Sequence, residues 1–308
     1  MNRDEIISWF LEGDISIQYQ THRDLLNEDK PELRERIEKE GWGAHFLSLQ
    51  GPDGHWGIGF YQPKWISTHY TLLDLKNLAI SREQKQIKRA VSIIAKEYKA
   101  EDGGINPGKT ITQSDVCING MFMNYACYFG IPEPDLYTVI DFILSQQMSD
   151  GGFNCRSNRS GAVHSSLHTT LSILEGIHEY NINGYKYRLA DLMKARTESV
   201  EFILEHKLFR SSRTGNVIDK RFLMLSYPSR WKYDILRALD YFQLAGIPYE
   251  SRMQDAIDIL LSKQKNDGTW PLQAKHPGQT HFEMEKTGQA SRWNTLRSLR
   301  VMKHFGML

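Results

Sequence analysis

Apolar residues along this chain recur at helical rather than alternating spacing. Ile6, Ile7, Phe10 and Leu11 share one helix face, Gly13 stops that run, and Asp14 is placed to cap a second helix. Pro31 opens a third near its first turn, where a missing N–H breaks no hydrogen bond. Leu33 and Ile37 continue the pattern, followed by Phe46, Leu47 and Leu49 beyond a Gly41-Trp42-Gly43 interruption. Amphipathic stretches over 87–99, 136–146, 189–205 and 253–263 predict further helices, and 296–305 closes the series. No run alternates as a strand would, and no two-residue hairpin signal separates apolar runs.

One punctuation mark recurs between these helices. Gln50-Gly51-Pro52-Asp53-Gly54-His55-Trp56 ends a helix, a loop follows, and Thr68-His69-Tyr70-Thr71-Leu72 starts another. The second copy is Asp102-Gly103-Gly104, a loop, then Ser114-Asp115-Val116-Cys117. The third runs from Gln147 through Asp150-Gly151-Gly152-Phe153 to His168-Thr169-Thr170-Leu171. A degenerate fourth joins Arg213-Thr214-Gly215 to Trp231-Lys232-Tyr233-Asp234. The fifth joins Gln264-Lys265-Asn266-Asp267-Gly268-Thr269-Trp270 to Trp293-Asn294-Thr295-Leu296. Asp in such a turn accepts from nearby backbone amides, and Gly takes the positive φ that ends a helix. Asp-Gly pairs at 53, 102, 150 and 267 leave room for the degenerate copy in the long gap.

A period near 50 with two helices per unit marks a helical repeat. The predicted fold is all-α: an α/α toroid, a closed ring of about five to six helix pairs. Residues 1–40 are expected as an N-terminal helical segment packed on a repeat domain over 41–308. An open rod would need polar end caps, whereas the last helix is apolar enough to need a partner.

Composition narrows the function. The 308 residues carry 38 basic and 37 acidic side chains, so no global field draws the chain to nucleic acid or an anionic surface. Three cysteines (Cys117, Cys127, Cys155) do not form a disulfide framework. No signal peptide and no membrane-length apolar stretch are evident, so a cytoplasmic protein is expected. Seven tryptophans point to aromatic surface lining something.

The glutamine–Asp-Gly–aromatic turns resemble the repeats of squalene–hopene cyclases and of the β subunits of protein prenyltransferases, over roughly residues 40–306. The whole chain resembles bacterial squalene cyclase-like or prenyltransferase-like proteins. That resemblance implies the α/α toroid with a central cavity. In the prenyltransferases, an Asp-x-Cys pair at one inner helix start and a His at the next hold zinc. Asp115-x-Cys117 and His168 match that order and context, which implies a zinc cofactor on Asp115, Cys117 and His168 and places these residues in the catalytic centre. Zinc accepts such ligands and keeps a fourth position open for catalysis. A helix N-terminus also favours the thiolate. Cys155 and His164 are alternative ligands, and Cys127 is read as core. Asn119–Ile131 and Ile235–Ile247 are matching intervals that end in Gly-Ile-Pro. This register sets Cys117 opposite Tyr233 and groups His69, His168, Tyr233 and Trp293 at one repeat position.

Class II cyclases carry an Asp-x-Asp-Asp run; here the stretch reads Asp115-Val116-Cys117-Ile118, and a thiol is too weak an acid to protonate an alkene. The resemblance therefore implies a zinc-dependent transferase acting on an isoprenoid, an allylic diphosphate, in an aromatic cavity. Lys109, Arg156, Arg159 and Tyr233, with the basic stretch 207–232, are candidates for the diphosphate, and His164 is a further candidate for binding substrate. Trp65, His69, Trp231, Tyr233 and Trp293 are candidates for the hydrophobic chain. Protein prenyltransferases pair with a second, helical-repeat subunit that this chain does not contain. Two other functions remain open: a non-catalytic lipid- or peptide-binding toroid, and a carbohydrate-active hydrolase or lyase, which would need two facing carboxylates.

Overall fold

Each Asp-Gly pair turns the chain with one repeated geometry in the computed structural model, which describes residues 1–108, 112–156 and 160–308. Gly54, Gly103, Gly151 and Gly268 hold φ between +84° and +89°, a conformation open to glycine. Gly51, Ala100, Met148 and Lys265 close the turns by donating to the carbonyls of His55, Gly104, Gly152 and Thr269 at 2.7–3.0 Å. The glutamine ahead of three turns reaches over them: Gln50, Gln147 and Gln264 donate through Nε2 to Gly54, Gly151 and Gly268 at 2.9, 3.1 and 3.1 Å. In the second copy Lys99 stands at that position and donates to the Asp135 carbonyl instead.

Just past each turn the chain is tied to the first turn of the next helix. The N–H groups of Trp56, Phe153 and Trp270 donate to Oγ1 of Thr68, Thr170 and Thr295 at 2.9–3.0 Å, and that of Ile105 donates to Asn119 Oδ1 at 2.7 Å. Trp56, Phe153 and Trp270 are themselves buried. In the second and third copies the aspartate also clamps the far end of the loop. Asp102 accepts from the Ser114 N–H and hydroxyl, both at 2.7 Å, and Asp150 accepts from the Ser165 N–H at 2.8 Å and from its hydroxyl.

The helix starts correct one part of the expected register. His69, Cys117, His168 and Trp293 are each the second residue of their helix, whereas Tyr233 lies two residues before the start of its own.

The chain divides into two compact units. The first holds Met1–Leu49, Asn77–Ser81 and His206–Leu308. Its helices are α1 (Arg3–Leu11), α2 (Ile15–Thr21), α3 (Pro31–Arg36) and α4 (Gly41–Ser48). The second unit holds Gln50–Lys76 and Arg82–Glu205. It contains α5 (Thr68–Asn77, all but the last residue), α6 (Lys85–Glu97), α7 (Val116–Tyr128), α8 (Tyr137–Ser145), α9 (Leu167–Ile182) and α10 (Leu189–Glu205). The chain then returns to the first unit with α11 (Ile235–Leu244), α12 (Gln254–Ser262) and α13 (Arg292–His304). Residues 1–40 thus fall in one unit with α4 and His206–Leu308. The all-α class is what the structure shows: β pairing among the described residues is limited to isolated bridges such as Lys99–Ile105.

In the first unit α13 finds its partners in α11 and the N-terminal helices. Arg292 donates to the Trp9 carbonyl and lies 4.6 Å from that ring. Deeper in, Asp240 of α11 accepts from Arg297 at 3.0 Å and from Arg300 at 2.5 Å, and Arg300 also reaches Asp24 at 3.1 Å. Burial opposes the Asp240 charge, but Arg300 and Arg297 outweigh it and hold the carboxyl below its usual range.

In the second unit every residue of α7 except Cys117 is buried, and α9 packs against it closely. Glycines allow the approach. A Cβ on Gly120 would meet the Ser172 carbonyl oxygen at 2.7 Å, and one on Gly176 the Gly120 carbonyl oxygen at 2.6 Å. This crossing sets the starts of α7 and α9 beside each other.

Candidate functional site

The start of α7 carries Asp115 and Cys117, and the start of α9 carries His168 and Thr169. Asp115 is the N-cap residue of α7, but its carboxylate does not cap the helix. Asn119 instead fixes the preceding chain: its Nδ2 donates to the Asp115 and Ile105 carbonyls at 3.0 and 3.1 Å. Between the two helix starts lies Cys155, two residues past the Phe153 tie. Its N–H donates to Thr169 Oγ1 at 3.3 Å, which fixes the loop against α9.

The Cys155 sulfur accepts from the Cys117 N–H at 3.0 Å and from the Thr169 hydroxyl at 3.5 Å. Cys117 and Cys155 act on each other: the Cys155 side chain, as hydrogen-bonding neighbour, pushes the Cys117 pKa well up, with burial and the charges of Cys155 and Asp115 adding to the effect. The Cys117 side chain pulls Cys155 down, against burial, with help from Thr169 and the Cys117 N–H. Cys155 is the more acidic sulfur of the pair. Both cysteines are half-buried, whereas Cys127 is buried in α7 and burial pushes its thiol up.

Tyr61 borders the thiols. Burial pushes its pKa up, partly offset by the hydrogen bond to Tyr70, and the charges of Cys117, Asp115 and Cys155 push in the same direction as burial. Its hydroxyl lies 3.0 Å from that of Tyr70. Behind it, His69 is fully buried among the rings of Phe60, Tyr61, Tyr70 and Tyr125, with centroids 4.9–5.5 Å away. Its Nδ1 lies 3.2 Å from the Tyr125 hydroxyl. Burial pushes the imidazole pKa down to about 3, so it is neutral at physiological pH.

Among the described residues no three His, Cys, Asp or Glu side chains converge on a point that could hold a metal ion. The third loop inserts the Cys155 sulfur beside Cys117 at the N-terminus of α7.

The other expected residues stand in different local surroundings. His164 and Arg156 are exposed. Lys109 and Arg159 lie outside the described residues. Trp65 is buried edge-on to Tyr70, with its centroid 4.8 Å away. Trp231, Tyr233 and Trp293 belong to the first unit. There Lys232 sits 3.7 Å over the Trp231 ring, and Trp293 stacks on Trp42 and Tyr227. The buried Tyr233 donates its hydroxyl to the Leu208 carbonyl, so its only polar group serves the backbone. The basic stretch 207–232 is dispersed as well: Arg210 pairs with Asp255 and Arg221 with Asp219. The first unit also encloses a cavity of about 40 Å³ lined by Phe46, Tyr227, Arg230, His276, Phe282 and Glu285. That is room for about one water molecule.

Cys155, Thr169 and Tyr61 are the site residues that sequence patterns underweighted. The signal for Cys155 lay in the repeat itself. A tie from Phe153 to Thr170 brings a residue two positions past the turn opposite the residue just before the tie.

No helix among the described residues is long and apolar enough to cross a membrane. The chain matches no known family model and no curated protein. Solved structures similar to it include two variants of the type II terpene cyclase MstE from Scytonema, each in complex with the substrate geranylgeranyl dihydroxybenzoate. Both are 13% identical to this chain; the alignments cover 96% of it and 88% and 89% of theirs, with TM-scores of 0.49 and 0.45.

Proposed function

We propose that this chain is an isoprenoid-acting enzyme of the terpenoid cyclase–prenyltransferase kind, whose reacting end is the start of α7 and α9 in the second unit. One observation carries this reading. The Asp115 carboxylate and Cys155, the more acidic sulfur, both act on Tyr61, so a carboxylate, a sulfur and an aromatic ring meet at one place. Such a place is complementary to a carbocation, the species formed when an allylic diphosphate ionises. The repeat turns and the Asp-x-Cys pair, which resemble those of the cyclases and prenyltransferases, point to the same substrate class.

The chemistry proposed is transfer or cyclisation by way of an allylic cation. The C–O bond to diphosphate breaks, the diphosphate leaves with the electron pair, and the cation is held beside Cys155, Asp115 and Tyr61 until an acceptor or an internal alkene captures it. No step is assigned to a metal ion.

The test is to incubate purified protein with farnesyl or geranylgeranyl diphosphate and follow diphosphate release and product mass. Release is expected from the wild type, falling by about 100-fold or more in Asp115→Asn and Cys155→Ala, the scale of losing one electrostatic stabiliser. Absence of turnover with either substrate, or unchanged rates in both variants, would sink the reading.

A further inference from the structure

Three cysteines in a chain of this size would ordinarily be scattered packing residues. Two of them are not scattered. Cys117 and Cys155 stand 38 positions apart in sequence, yet the Cys155 sulfur accepts from the Cys117 N–H at 3.0 Å. Both are half-buried, and neither is in a disulfide. The third, Cys127, lies buried in the body of α7.

We propose that Cys117 and Cys155 form an oxidation-sensitive dithiol, a modification site that peroxide converts to a reversible intramolecular disulfide. The geometry supplies what the reaction needs. One sulfur is accepting hydrogen bonds from Cys117 N–H and Thr169 at a helix N-terminus, where developing negative charge is favoured. The other belongs to the residue whose backbone nitrogen lies 3.0 Å from that sulfur, so the two thiols are neighbours in space.

The step balances with peroxide as the oxidant. The Cys155 sulfur attacks one peroxide oxygen, the O–O bond breaks, and one water leaves once protonated, which makes Cys155 a sulfenic acid. The Cys117 sulfur then attacks the Cys155 sulfur. The S–O bond breaks, and the hydroxyl departs as a second water with the Cys117 proton. Two thiols and one peroxide become one disulfide and two waters. A small-molecule dithiol reverses it by exchange through a mixed disulfide.

The new bond takes Cys155 Sγ out of its hydrogen bonds to Cys117 N–H and Thr169. It needs no isoprenoid, so its test is independent of the proposed reaction. Full-length protein is treated with hydrogen peroxide, its remaining thiols are alkylated under denaturing conditions, and intact and peptide masses are read. The expected result is a single alkylated cysteine, Cys127, with a cross-linked peptide pair joining Cys117 to Cys155 that dithiothreitol releases. In Cys117→Ser the same treatment leaves a sulfenic acid on Cys155, which dimedone traps. Cys127→Ser forms the cross-link as the wild type does. Three alkylated thiols after treatment overturn the proposal, as does a cross-link through Cys127 or between two chains. The wild-type measurement stands alone if a variant does not fold.

Discussion

Gly176→Ala tests the crossing that brings the site together. The new Cβ would lie 2.6 Å from the Gly120 carbonyl oxygen and 2.9 Å from Met123 Cε. An ordinary contact begins at 3.4 Å, so α7 and α9 must part by about 0.8 Å (3.4 − 2.6). Met123 can rotate away, but the carbonyl belongs to the backbone of α7 and cannot. Overpacking of this kind costs about 1–3 kcal/mol, and a backbone obstacle puts it near the upper end. Alanine in a helix interior recovers about 1 kcal/mol relative to glycine. The net loss is about 2 kcal/mol, which lowers Tm by about 4–8 °C for a body of this size. Calorimetry and urea titration both read it. Gly120→Ala, whose Cβ would meet the Ser172 carbonyl oxygen at 2.7 Å, should behave alike. The double variant should lose less than the sum, because one separation accommodates both methyl groups. An unchanged or higher Tm for Gly176→Ala would refute the close-crossing argument, since the intrinsic helix preference of alanine would then have won.

Acid should weaken the protein through His69. Its folded pKa of about 3 lies below the unfolded value near 6.5, so its contribution is complete above about pH 6.5 and is lost as pH falls toward 3. The slope is about 1.4 kcal/mol per pH unit. His69→Gln should flatten the stability curve between pH 6.5 and 4.5 by that amount, and an unaltered slope in denaturant titrations would contradict the burial argument. Asp234 runs the other way. Burial, only partly offset by Arg297, raises it to about 6, so its stabilising contribution is present below about pH 3.8 and lost as pH rises through 6. Asp234→Asn keeps an oxygen for the Arg237 N–H and should gain about 1–3 kcal/mol at pH 7 and nothing at pH 4; destabilisation at pH 7 would mean the Arg297 attraction dominates. Arg300→Met removes one cation from Asp240, which keeps Arg297, and from Asp24, which keeps Arg23, and should cost about 1.5–3 kcal/mol by chemical denaturation, whereas a loss under about 0.5 kcal/mol would show the network to be dispensable.

Much of the architecture was legible because the turn chemistry is local. Asp53, Asp102, Asp150 and Asp267 each sit before a glycine that only a left-handed turn explains, and the helices between them carry strong periodicity. The helix starts bearing Asp115, Cys117 and His168 were legible for the same reason. The register was half legible. Matching Thr-Leu pairs put His69 with His168, each the second residue of its helix, but Tyr233 lies two residues before the start of α11, a boundary that the degenerate fourth copy does not mark. The partner of Cys117 was harder still. Whether His168 or Cys155 faces its sulfur depends on the path of a loop and on how closely α7 and α9 approach, and that closeness is set by Gly120 and Gly176, two residues with no side chain to show a pattern. Tyr233 looked like lining because aromatic residues at helix starts do line cavities; its hydroxyl instead serves the Leu208 carbonyl.

The double clamp made by Asp102 and Asp150 has an evolutionary consequence. Each aspartate sits in its turn and also grips a serine, twelve residues later for Asp102 and fifteen for Asp150, so the intervening segment begins and ends at fixed points. Lengthening such a closed loop raises its entropy cost only logarithmically, by about 0.6 kcal/mol per doubling. The repeat therefore works as a socket. Its rim is set by backbone geometry, and what is plugged in can be exchanged without disturbing the helices that hold it. Cys155 lies within one such insert and Cys117 just beyond the end of the other, so a new chemistry can be tried by rewriting a few loop residues while the scaffold stays as it is.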